Sequence, residues 1–64
     1  MNIDSLERLS RHLKLFRMKL KKEGHNEMQL YPMFCVYYDK NKEKFQLSKE
    51  QVLESACEIL IEGK

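Results

Sequence analysis

Cys35, Cys57, His12 and His25 are the side chains of this 64-residue chain best suited to metal or nucleophilic chemistry. Together they supply the atoms of a Cys2His2 site. Zinc modules, however, bring their ligands in close pairs, and these four stand at four separate places along the chain. A Cys/His nucleophile pair needs hydrogen-bond proximity and an orienting third group, and nothing local provides one. Glu50, Glu54, Glu58 and Glu62 recur four residues apart, which is the pattern of a solvated helix side rather than of paired catalytic carboxylates. Gly24 and Gly63 are the only glycines, so there is no phosphate-cradling loop. The expectation is a protein with no catalytic role, no cofactor, no bound metal and no small-molecule substrate.

The remaining chemistry is that of contact. Arg8, Arg11, Lys14, Arg17, Lys19, Lys21 and Lys22 crowd the first third of the chain, set against Asp4, Glu7 and Glu23, a local charge of about +4. The last segment, 48–64, carries about −2, so the formal net charge of +2 conceals an asymmetry. Such a positive face neutralises phosphates by counterion release or meets an acidic protein surface, including the Glu50/Glu54/Glu58 side of a second copy. Leu15 and Met18 fall among these cations, flanked by Arg11 and Lys22, and need a partner unless they stand in water. Tyr31, Tyr37 and Tyr38 near Lys40, Lys42 and Lys44 also fit base stacking beside phosphate-tracking lysines, though tyrosines of this kind more often belong to half-buried strands.

These residues have to be held by elements, and the punctuation along the chain predicts which. Leu6, Leu9, Leu13, Phe16 and Leu20 make a heptad-like seam over a first helix from about Ser5 to Glu23. Asp4 and Glu7 approximate a capping box at its start, and Gly24 sits where a left-handed residue ends it. The run Met33 to Tyr38 is dense in aromatic and β-branched residues, and Phe45-Gln46-Leu47 resumes an alternation beyond Asp39-Lys40-Asn41-Lys42, which predicts a β-hairpin. In that register Phe34, Val36, Phe45 and Leu47 face the core, Met33, Cys35 and Tyr37 face outward, and Pro32 lies at the strand start or on an edge. Ser48-x-x-Gln51 caps a second helix whose Val52, Leu53, Ala56, Cys57, Ile59 and Leu60 form an apolar side before Gly63.

The fold class expected is therefore α+β, a helix, β-hairpin, helix order in one domain, 1–64, completed by dimerisation because a two-stranded sheet is marginal alone. Double-stranded-RNA-binding domains differ from this order in having three strands and a basic start to the last helix, whereas Ser48-Lys49-Glu50-Gln51 is neutral; no family is assigned. No apolar run approaches the length of a membrane span, and the opening residues do not form an export signal. Two isolated thiols fit a reducing cytosol. The function expected is that of a small cytoplasmic regulatory or adaptor protein binding a protein partner, itself included as a homodimer, through Arg11, Leu15, Met18, Lys22, Cys35 and Tyr37. The alternative is a nucleic-acid-binding accessory protein using Arg8, Arg11, Lys14, Arg17 and Lys21.

Overall fold

The computed structural model describes residues 2–63, of which 76% are helical. Helix α1 runs Leu6–Lys22, α2 runs Glu27–Lys40, a single 3₁₀ turn spans Lys42–Lys44, and α3 runs Lys49–Ala56 before ending in a π turn over Cys57–Ile61. Among the described residues there is no sheet. One parallel bridge joins Ile3 to Phe45, with the Ile3 N–H donating to the Lys44 carbonyl at 2.7 Å and the Gln46 N–H donating to the Ile3 carbonyl at 2.8 Å. It ties the segment before α1 to the one after α2.

Local chemistry ends the helices cleanly. Ser5, rather than Asp4, caps α1: its hydroxyl accepts from the Arg8 N–H at 3.2 Å, while Asp4 pairs with the Arg8 side chain at 3.6 Å. At the other end Gly24, at φ +97, donates to the Lys21 carbonyl and His25 donates to the Leu20 carbonyl, both at 3.1 Å. This is the Schellman pairing, which needs a residue at ease in the left-handed region. Ser48 and Gln51 form a reciprocal capping box at α3, each backbone N–H donating to the other's side chain at 3.2 Å.

The expected β-hairpin is overturned, and with it the α+β class. Residues 27–40 are helical because two signals outweigh β propensity. Asn26 and Gln29 make a second reciprocal capping box, at 3.1 and 3.2 Å, the same Asx/Ser-x-x-Gln grammar that opens α3. Leu30, Phe34 and Tyr38 then recur every four residues with Tyr31 and Tyr37 beside them, an inward side at helical period, and all three are buried. Pro32 stands inside the helix, not at a strand edge. An interior proline costs up to about 3 kcal/mol through the hydrogen bond it cannot donate and its ring clash. Here the carbonyl that loses its donor four residues on belongs to Met28, a residue that is 88% exposed. Asn41 closes α2, its side-chain amide donating to the Tyr37 carbonyl at 2.8 Å.

Three positions change sides with the element. Val36, expected in the core, is 56% exposed; Met33 and Tyr37, expected on an outer sheet face, pack partly buried against the core. Phe34 is fully buried at the centre of that core, ringed by Phe16, Tyr37, Tyr38 and Phe45 at centroid distances of 5.5 to 6.4 Å. The pairs with Phe16 and Phe45 are edge-on, a geometry that adds about 0.5–1.5 kcal/mol each beyond the area buried. Leu9, Leu13 and Leu20 of α1 and Val52, Ala56, Ile59 and Leu60 of the C-terminal helix complete it, the latter packing across both α1 and α2. Burying the inward sides of α1 and α2 in this way decides which of their residues face out.

Candidate interaction surface

The side of α1 turned away from the core carries Arg11, Leu15, Met18 and Lys22. At about 100° per residue these four lie within about 60° of arc, a straight stripe up the helix. Leu15 is 60% exposed and Met18 67%, so the stripe is an apolar centre with a cation at each end. Arg11 is loosely engaged, its guanidinium 3.7 Å from Glu7 one turn back and both side chains exposed. An exposed pair of this geometry contributes little to stability, which leaves the cation available to another carboxylate.

Beside the stripe a cleft of about 390 Å³ opens between α1 and the N-terminal segment, lined by Asn2, Ile3, Arg8, Arg11, His12 and Leu15. His12 forms its inner wall, stacked on Tyr37 at 5.6 Å and edge-on to Phe45 at 6.2 Å. Burial, helped by the nearby Lys44 charge, holds the His12 imidazole below its ordinary value of 6.5. It is therefore neutral at pH 7, and its buried Nε2 has no protein hydrogen-bond partner. The cleft thus joins an apolar, uncharged interior to two guanidiniums at its mouth.

The five cations of the nucleic-acid alternative are not gathered on one side. Arg8, Arg11, Lys14, Arg17 and Lys21 spread over about 180° of the helix surface. Arg17 and Lys21 turn toward α2, where both meet Glu27, at 3.6 and 2.7 Å. That pairing holds the Glu27 carboxyl below its usual range, the Lys21 hydrogen bond being the main cause. Arg17 is partly buried, with its Nε lacking a protein partner.

Cys35 is partly buried on α2, one turn beyond Tyr31; burial first, then the nearby Cys35 and Cys57 thiols, push the Tyr31 phenol up. Tyr37 contributes to the core and not to an outer surface, so it and Cys35 do not join the α1 stripe. His25 lies in the α1–α2 connection, 3.8 Å from Glu23, remote in sequence and role from His12 in the cleft wall. Among the described residues no three His, Cys, Asp or Glu side chains converge to hold a metal ion. Sequence reasoning missed the exposed apolar residues Met28, Val36 and Ile61. The signal was present in the uncharged run from Met28 to Tyr38, read at the helical rather than the strand period.

No family model, curated protein or solved structure matches this chain. No helix among the described residues is long and apolar enough to cross a membrane.

Proposed function

We propose that this protein is a non-enzymatic regulatory or adaptor module that binds another protein through the outer side of α1. The observation that carries the reading is the exposure of Leu15 and Met18 at the centre of a stripe bounded by Arg11 and Lys22. Apolar residues exposed singly are ordinary, but two on successive turns with cations above and below form a patch of defined chemistry. Its complement is an acidic amphipathic segment whose apolar side chains cover Leu15 and Met18 while its carboxylates meet the cations. The cleft lined by Ile3, His12 and Leu15 offers room for one anchoring apolar side chain. The free thiols of Cys35 and Cys57 fit a reducing, cytosolic setting.

The reading is tested with a synthetic helical peptide bearing a leucine stripe flanked by glutamates, and a second peptide with lysines in their place, by fluorescence anisotropy. The acidic peptide binds and the basic one does not. Leu15→Asp with Met18→Asp weakens the acidic peptide at least about tenfold, without loss of helicity. Duplex or single-stranded oligonucleotide binding that falls steeply with salt, together with indifference to the acidic peptide, overturns the reading in favour of nucleic acid.

A further inference from the structure

Cys35 and Cys57, remote in sequence, are brought to one seam by the way the C-terminal helix returns along α2. Phe45, just before α3, packs on Tyr38 near the end of α2, with ring centroids 5.0 Å apart. At the far end of the return, Ile61 stands beside Met28, Tyr31 and Pro32, with which it encloses a groove of about 430 Å³. Gly63 there lies beside the Arg17 guanidinium that pairs with Glu27 at the start of α2. The two elements therefore run antiparallel. Cys57 is one turn back from Ile61 and Cys35 one turn on from Tyr31, so the antiparallel register sets both thiols at one level. Their sides agree as well. Tyr37, on one flank of the buried line Leu30, Phe34 and Tyr38, meets His12 and Phe16 of α1. Tyr31 and Cys35 lie on the other flank, about 40° of arc apart, and so border the C-terminal helix. The π turn, closed by the Glu62 N–H donating to the Cys57 carbonyl at 3.2 Å, keeps Cys57 on the same side as Ile61. Both thiols are partly buried rather than sealed, and both act on the same Tyr31 phenol.

We propose that Cys35 and Cys57 form a reversible disulfide when hydrogen peroxide reaches them, an oxidation-sensitive clamp between α2 and the C-terminal helix. Helices packed about 8–10 Å apart, each with its Cα atoms about 2.3 Å from the axis, bring facing Cα atoms within the span of about 7 Å that a disulfide bridges. The chemistry balances with peroxide as the oxidant. One thiol sulfur gains a hydroxyl as the peroxide O–O bond breaks, giving a sulfenic acid and one water. The second sulfur then attacks the first: the S–S bond forms, the S–O bond breaks, and the departing hydroxyl leaves as a second water with the proton of the second thiol. Two thiols are oxidised and one peroxide is reduced. Transient, redox-sensing disulfides are the kind that a reducing compartment allows, so the clamp is compatible with free thiols in the resting chain. Neither cysteine lies on the α1 stripe, and the clamp does not depend on the α1 reading.

Oxidation of the full native chain with dilute hydrogen peroxide, followed by alkylation and mass spectrometry, tests this. The expected product is a monomer lighter by two hydrogens, which takes up no alkylating agent until dithiothreitol restores the thiols. It forms at least about tenfold faster in the native chain than in urea, because the fold holds the two sulfurs together. Its melting temperature stands about 10 °C or more above that of the reduced chain, and the rise disappears on reduction. Cys35→Ser and Cys57→Ser, conservative in size, each keep the helical circular dichroism of the native chain and lose the rise. Four results with the native chain overturn the proposal: thiols that stay open to alkylation after peroxide, sulfinic acid as the end product, disulfide-linked dimers as the main product, or equal rates of closure in buffer and in urea. An oxidised monomer that melts below the reduced chain overturns the clamp.

Discussion

The outward sides of α1 and α2 expose similar apolar groups and differ in what surrounds them. On α1, Leu15 and Met18 sit between Arg11 and Lys22; on α2, Met28 and Val36 sit in a run without charge. Burial on the inner side is alike for both, three residues of each helix being buried. The difference therefore lies wholly in the frame around the exposed apolar atoms. A charged frame discriminates, because it penalises any partner of the same sign, this chain's own copy included. A neutral frame leaves fit and area to set affinity.

The comparison breaks most visibly if the two sides of α2 are not distinct. Phe34→Ala removes a fully buried ring and is expected to cost about 3–5 kcal/mol in urea unfolding. Val36→Ala, on the opposite side, is expected to stay within about 0.5 kcal/mol. Equal costs would mean that Val36 is not the outward residue. Next in size, Arg11→Glu with Lys22→Glu reverses the frame of α1: affinity for the acidic leucine peptide should fall at least about tenfold.

Two smaller effects sharpen the comparison by testing what orients the helices. Gly24→Ala places a side chain at φ +97 where no atom lies within 4 Å of the new Cβ, so its cost is conformational alone, about 1 kcal/mol in thermal unfolding. The last concerns pH. His12 has its native value depressed below 6.5, so the unfolded chain binds the proton more readily. Stability from this group is fully present above 6.5 and is lost as pH falls through the depressed native value. The melting temperature should therefore be insensitive to His12 near neutrality and decline on acidification. His12→Gln should flatten that slope; an unchanged slope would assign it elsewhere.

How much was legible varies along the chain. The α1 seam from Leu9 to Leu20, the Gly24 stop and the Ser48–Gln51 box are local signals, and each element they delimit is where they point. Leu6 of the same seam stands at the first helical position and is 50% exposed. The middle of the chain misleads because Phe34, Val36, Tyr37 and Tyr38 have strand-like side chains and Pro32 argues against a helix. Those preferences span about 1 kcal/mol, less than the gain from burying Leu30, Phe34 and Tyr38 together on one side. The Asn26–Gln29 box was readable beforehand, and it alone distinguishes a helix start from a turn into a strand. Of the candidate contact residues, Arg11, Leu15, Met18 and Lys22 share one stripe because helical period by itself places them there. Tyr37 does not join them, because its direction depended on the element it belongs to.

The sequence by itself determined where α1 and α3 begin and end, since caps and glycine stops act through hydrogen bonds and backbone angles within a few residues. It likewise determined that cations surround Leu15 and Met18. The tertiary structure decided that Val36 faces out while Tyr37 faces in, and its core holds residues 27–40 in the helix that the local Asn26–Gln29 box opens. From Met28 to Tyr38 no residue is charged, so the direction of that stretch is chosen by the core that α1, α3 and Phe45 assemble around Phe34.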